Sequence, residues 1–184
     1  MISPDQLTSG QLQEQLAAGS LAGNWTLDPA QSTATLRSKS VWGLAAVKGE
    51  FKEIGGSGTV SPAGDLTGEI TITTASLDTK NPKRDKHLQS EEMLSSAKYP
   101  TITFVLGSVD LTSSDVTVAG SLTVRDETRP LTFTASVAVE HGAVVSLDTV
   151  VHVDRQDFGI TWNQLGMASM QNEIAVHAVF KIAK

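Results

Sequence analysis

Cysteine is absent from this chain of 184 residues. Disulfides, thiolate nucleophiles and sulfur-ligated metal sites are therefore excluded. Aromatic residues are scarce, at 5% of the sequence, and Tyr99 is the one tyrosine. Apolar residues still make up 40%, so Val, Leu, Ile and Ala carry most of that content, and these suit strands and smooth apolar walls. Basic charge is also in short supply, with 14 Lys and Arg against 20 Asp and Glu and a formal net charge of −6. Nucleic acid, whose phosphates need a basic face, is not an expected partner. No segment approaches the roughly 20 apolar residues that span a bilayer, so stable membrane insertion is not expected. The first 22 residues contain Asp5 and Glu14, with neither a basic start nor an apolar run. They do not form a secretory leader, and the expectation is a cytoplasmic protein. Walker, dinucleotide-fingerprint and His-Glu-x-x-His motifs are missing too, which leaves no cofactor or metal site to expect.

What the chain does contain is alternation. Residues 1–22 read as a helical extension: Thr8 or Ser9 caps it, Leu12 and Leu16 share a face, and Gly19 ends it. Such a helix either lies on the body of the fold or plugs one end of it. Residues 23–184 read as one β domain. Ala34 and Leu36, then Val47, Gly49 and Phe51, then Leu66, Gly68, Ile70 and Ile72 each alternate with polar residues. The same holds for runs around Phe104, Val118, Phe133, Val151 and Val176. About eight strands result, each with one apolar and one polar face. The expected class is all-β, an antiparallel up-and-down barrel, with Gly49, Gly68 and Gly120 where its wall bends. A short helix is expected at Ser90–Leu94, behind a serine cap with acidic first-turn residues.

The densest charge lies in Lys80–His87. His87 and Asp85 offer an acid and a base, but no nucleophile or second histidine is placed to help them. Alternatively, Arg84 forms an ion pair with Asp85 or Asp157 that pins the loop, or Arg84 and His87 meet a polar lipid end at a cavity mouth. His141, His152 and His177 read as surface residues.

Five motifs in order carry a family resemblance. They are Trp25-Thr26-Leu27-Asp28-Pro29 with Ser32, and Val47-Lys48-Gly49-Glu50-Phe51. Next comes Ser76–Leu88 with Tyr99-Pro100, Ile102 and Phe104. Gly120–Val124 with Thr128–Leu131, and Arg155–Ile160, complete the set. Together they resemble the YceI-like family. Gln31 and Val41 stand where many members carry histidine. The resemblance implies an extended lipocalin-like barrel around an apolar tunnel. It also implies non-catalytic binding of a polyisoprenoid, quinone-like or fatty-acid-like lipid for carriage, storage or sequestration, and a homodimer. The tunnel is expected to be lined by Leu36, Trp42, Phe51, Ile70, Ile72 and Phe104, and by Leu122, Phe133, Val151, Phe158, Ile160 and Phe180. Arg84, His87 and Arg155 are expected at its polar mouth. The rival readings are a filled barrel acting as an interaction module, and an enzyme on a lipid-like substrate using His87 and Asp85.

Overall fold

The protein is described by a computed structural model covering residues 6–40, 44–163, 166 and 168–183. Eleven strand segments follow a helix α1 (Ser9–Ala17). They are β1 (Gly23–Leu27), β2 (Thr33–Ser40), β3 (Ala45–Phe51), β4 (Ile54–Val60), β5 (Leu66–Thr73) and β6 (Leu77–Asp78). A second helix, α2 (Pro82–Leu88), precedes β7 (Thr101–Asp110), β8 (Val116–Val124), β9 (Glu127–Glu140), β10 (Val144–Asp154) and β11 (Ala168–Ile182). No helix among the described residues is long and apolar enough to cross a membrane.

These segments make an eight-stranded closed antiparallel barrel, because three of its strands are bent in the middle. β1 and β2 run in line along β11, with Leu27 opposite Phe180 and Thr33 opposite His177. β3 and β4 run in line along β2 and β1, and β6 continues β5 along β3. The sequence pattern shows the right number of strands but misses β1 and β4 as segments. β4 is Ile-Gly-Gly-Ser-Gly-Thr-Val, and glycine leaves no alternation to read.

Bending a strand breaks its ladder, and the exposed donors must be satisfied. Between β1 and β2 the side chain of Ser32 does this. Its hydroxyl donates to the Asp28 carbonyl at 2.7 Å and accepts from the Val179 N–H at 2.9 Å. The Asp28 N–H donates to the Val179 carbonyl at 2.8 Å, and Lys181 pairs with the Asp28 carboxylate. This clasp closes the barrel where β1 and β11 share three paired positions. The Lys181 hydrogen bond holds the Asp28 carboxyl below its ordinary range.

The short helix is α2 rather than the Ser90–Leu94 expected from sequence. Asn81 caps it, accepting from the Arg84 N–H at 3.1 Å, and Pro82 occupies its first turn. A proline there loses no helical hydrogen bond, so the helix begins at Pro82 and is spent by Leu88. Ser90–Leu94 forms hydrogen-bonded turns instead, the Met93 and Ser95 N–H groups both donating to the Ser90 carbonyl.

Two apolar clusters line the barrel interior. One gathers Leu27, Phe51, Ile72, Ile102, Phe158 and Ile160. The other gathers Leu12, Leu16, Trp25, Val60, Val118 and Val137. Phe104 and Phe180 pack against both.

Candidate functional site

Between the two clusters lies a cavity of about 270 Å³. The inward faces of β4, β5 and β7–β11 wall it, so the alternation read along each strand translates directly into its lining. Phe51, Ile70, Ile72, Phe104, Leu122, Phe133, Val151 and Phe180 all border it.

Some of the space comes from missing side chains. Trp25 is paired with Gly58, and Gly58 with Gly68, so two inward positions beside the indole carry no side chain. Gly120 lies where the wall is irregular, since the pairing of β7 with β8 shifts between Leu106 and Ser108. A Cβ there would collide with the Val105 carbonyl and come within 2.5 Å of the Phe104 ring tip. Phe104 then meets Phe133 with ring centroids 5.4 Å apart at 57°, a tilted contact typical of aromatic pairs. Gly120→Val is expected to push apart both the ring and the β7 backbone and cost about 1–3 kcal/mol or more. Urea unfolding checks this; an unchanged midpoint would show that the close approach of β7 to Gly120 is not needed.

Three expected lining residues are placed elsewhere. Phe158 and Ile160, each 4% exposed, flank Gly159 at the end of the 3-10 turn Arg155–Phe158. Gly159 has φ +70°, and the left-handed turn points both neighbours into the packed core. Leu36 packs with the same cluster as Leu88, Met93 and Leu94, away from the cavity. Trp42 lies outside the described residues. Conversely, the sequence pattern did not place Leu12, Leu16, Leu21 or Trp25 in the wall, yet all four border the cavity. The Leu12–Leu16 spacing was the available signal. The Trp25 indole N–H, buried there, donates to the Leu21 carbonyl at 2.9 Å.

The end of the barrel opposite α1 is capped by three pieces: residues 79–99, the turn at Arg125–Asp126, and residues 155–160. Tyr99 ties the first to the second, its hydroxyl donating to Asp126 at 3.0 Å and holding that carboxyl below its ordinary range. Arg125 ties the second to the third through the Gly159 carbonyl, at 3.3 Å.

The charged loop is resolved in detail. Arg84 makes no ion pair with Asp85 or Asp157 among the described residues. Its Nε donates to the Thr79 hydroxyl at 2.7 Å and its Nη2 to the Thr79 carbonyl at 2.9 Å. Asp85 accepts from the Thr79 N–H and hydroxyl, at 2.9 and 2.5 Å. Both side chains thus converge on one buried threonine, because a hydroxyl can accept from the cation while donating to the carboxylate. Asp85 and His87, two apart on α2, point to different sides of the helix. The acid–base pair considered from sequence is not assembled.

His87 packs edge-on against Trp162, with centroids 4.3 Å apart, and its Nε2 is buried without a hydrogen-bond partner. Arg155 is more unusual. It is 7% exposed; its Nε donates to the Ser169 carbonyl at 3.1 Å and its Nη1 lies 3.6 Å from the Met93 sulfur. Its Nη2 has no partner among the described residues, and none of Arg84, His87 and Arg155, expected at the mouth, borders the cavity. Burial pushes the guanidinium below its ordinary pKa, and nearby Asp154 offsets this in part. The Asp154 carboxylate itself is engaged by the Gln156 N–H and the Gln171 amide. The Ser90 and Ser96 hydroxyls in the same cap are likewise buried and unpartnered. No group of three or more His, Asp and Glu among the described residues is placed to hold a metal ion.

Comparison with known proteins agrees with this architecture. Among solved structures, BcnA of Burkholderia cenocepacia superposes with a TM-score of 0.73 at 22% identity, over 83% of this chain and 98% of its own. A polyisoprenoid binding domain from Saccharophagus degradans superposes at 0.70 with 14% identity, over 86% and 98%. At these identities the likeness is one of fold. In sequence, the chain is 34% identical to a UPF0312 protein of Enterobacter sp. (strain 638) over 142 residues, 73% of each. It is 32% identical to Protein YceI of Escherichia coli over the same length and share. The YceI-like domain family matches residues 25–182, and the chain belongs to that family.

Proposed function

We propose that this protein binds an amphiphilic lipid without chemically altering it. An isoprenoid, quinone-like or fatty-acid-like tail lies in the barrel, and the polar end sits at the cap near Arg155 and His87. The observation that carries this reading is the cavity, walled by aliphatic and aromatic side chains from both core clusters. The solved polyisoprenoid binding domain of the same fold supports it.

Magnitudes assign the two ends their roles. The cavity offers about 270 Å³ to the centre of a water-sized sphere, so it holds at least about nine methylene-sized groups at about 30 Å³ each. At about 0.8 kcal/mol per buried methylene, that tail supplies about 7 kcal/mol. Association costs at least about 4 kcal/mol, so nine groups alone leave at most about 3 kcal/mol, which corresponds to millimolar binding or weaker. A charge-assisted hydrogen bond adds about 1.5–3 kcal/mol, so head-group contacts bring the affinity towards the micromolar range. Arg155 Nη2 and His87 Nε2, both buried and unpartnered among the described residues, are suited to supply them; neither borders the cavity, so a head group meets them past the Phe158 and Ile160 packing at the cap. Arg84, whose donors are engaged by Thr79, is not needed for this role.

The deciding experiment is native mass spectrometry of freshly purified protein, with solvent extraction of whatever accompanies it. A stoichiometric isoprenoid, quinone or acyl mass is expected. A bare protein mass that stays unchanged after incubation with such lipids would leave a barrel without a ligand and favour an interaction module.

A further inference from the structure

The family match begins at Trp25, so α1 lies outside the part of the chain that the family shares. It nevertheless completes the cavity. Leu12, Leu16 and Leu21, at 6%, 7% and 3% exposure, border the space from its α1 end. The rest of the helix presents Gln11, Gln13 and Glu14 to solvent.

A helix of nine residues does not persist alone in water, and α1 is fastened to the barrel at several points. Thr8 and Gln11 form a reciprocal capping box. The Leu7 N–H donates to the Val137 carbonyl at 2.8 Å, and Gln6 bridges to Ala138, both on β9. The Ser9 hydroxyl donates to the Ser113 carbonyl between β7 and β8. Gly64, in the β4–β5 turn with φ +92°, lies so close to Leu16 that a Cβ there would come within 3.1 Å of the Leu16 carbonyl. The helix therefore spans the barrel mouth from β9 to two separate turns.

We infer that α1 gauges tail length: Leu12, Leu16 and Leu21 are the floor on which the far end of a bound tail stops. With that floor in place, the distance from α1 to the opposite cap limits the tail that fits without disturbing the helix. A longer tail has to displace a leucine from the floor or lift the helix from its anchors. This inference rests on the amphiphile reading above. It adds a specificity-determining element that lies outside the family domain.

The test uses the full-length protein equilibrated with an equimolar series of saturated fatty acids, from octanoic to lignoceric acid. Native mass spectrometry reads which are retained. The unaltered protein is expected to show an optimum length, with retention falling for longer acids. A Leu12→Ala/Leu16→Ala double variant lengthens the space, so the optimum moves to longer acids, whose retention rises about tenfold through the extra buried methylenes. Leu16→Trp raises the floor and moves the optimum to shorter acids. Hydrogen exchange of the α1 amides verifies that the helix stays docked in each variant. A folded double variant, or a folded Leu16→Trp protein, with the unaltered length profile would overturn the gauge while leaving the amphiphile reading intact. So would an unaltered protein whose retention still rises at the longest acid with α1 still protected. An unaltered protein that retains no acid of any length would overturn both.

Discussion

A Phe104→Asp protein takes up no lipid and melts well below the unaltered one. Phe104 packs against both core clusters, borders the cavity and covers Gly120. Deleting a ring in such a place costs about 3 kcal/mol or more, and for a chain of this length each kcal/mol lowers Tm by about 2–4 °C. A fall of at least roughly 6–12 °C is therefore expected. The carboxylate adds a charge that no described neighbour on the cavity wall can pair, and a tail packed beside it would strip its water. Lost uptake in that variant alone does not separate a blocked cavity from a weakened fold. Val118→Trp does. Val118 is 5% exposed and borders the cavity from β8, so the indole enters existing space instead of displacing packed neighbours. Its overpacking cost is expected at or below about 1–3 kcal/mol, while retention of fatty acids measured by native mass spectrometry falls at least about a hundredfold, the equivalent of losing three or four buried methylenes. Undiminished retention in a folded Val118→Trp protein would place the ligand elsewhere.

An Arg155→Met protein binds fatty acids at least tenfold more weakly and a fatty alcohol of the same length equally well. It unfolds at no lower urea concentration than the unaltered protein. The first result follows from the loss of one charge-assisted contact, about 1.5–3 kcal/mol. The second follows because a neutral head group gains less from a cation. The third follows from the cost of burying a guanidinium with one nitrogen unpartnered among the described residues; exchanging a buried charge for an apolar side chain of similar length is often neutral or stabilising. The Nε bond to the Ser169 carbonyl works in the opposite direction. If it dominates, the variant loses stability and weakens acid and alcohol alike. That pattern would make Arg155 a structural fastener of the cap and remove it from the binding site.

The strands and their inward faces could be read from the chain because alternation is a local property. Ile70, Ile72, Phe104, Leu122, Phe133, Val151 and Phe180 were each identified from neighbours one or two positions away, and all reach the cavity wall. Phe158 and Ile160 share the same apolar chemistry but were misplaced, because the left-handed turn at Gly159 redirects them. Arg84 and Asp85 were recognised as structural candidates, but as an ion pair. Their common partner is Thr79, a residue whose hydroxyl carries no mark in the sequence. The helix before β7 was placed eight residues late because a favourable cap at Ser90 competes with a better one at Asn81–Pro82.

By itself the sequence determined the all-β class, the number of barrel strands, the exclusion of thiol chemistry and the family, through composition and period-two patterns that need no distant partner. Tertiary structure alone decided where the barrel closes, since the Ser32 clasp joins residues 147 positions apart. It also decided that glycines at 58 and 68 leave open space while Gly120 seats a ring, because an absent side chain has meaning only from what stands opposite it. In the same way, the short amphipathic helix came to border a cavity, and Arg155 came to be buried with a nitrogen unpartnered among the described residues. Each depends on contacts that form only when the chain has closed upon itself.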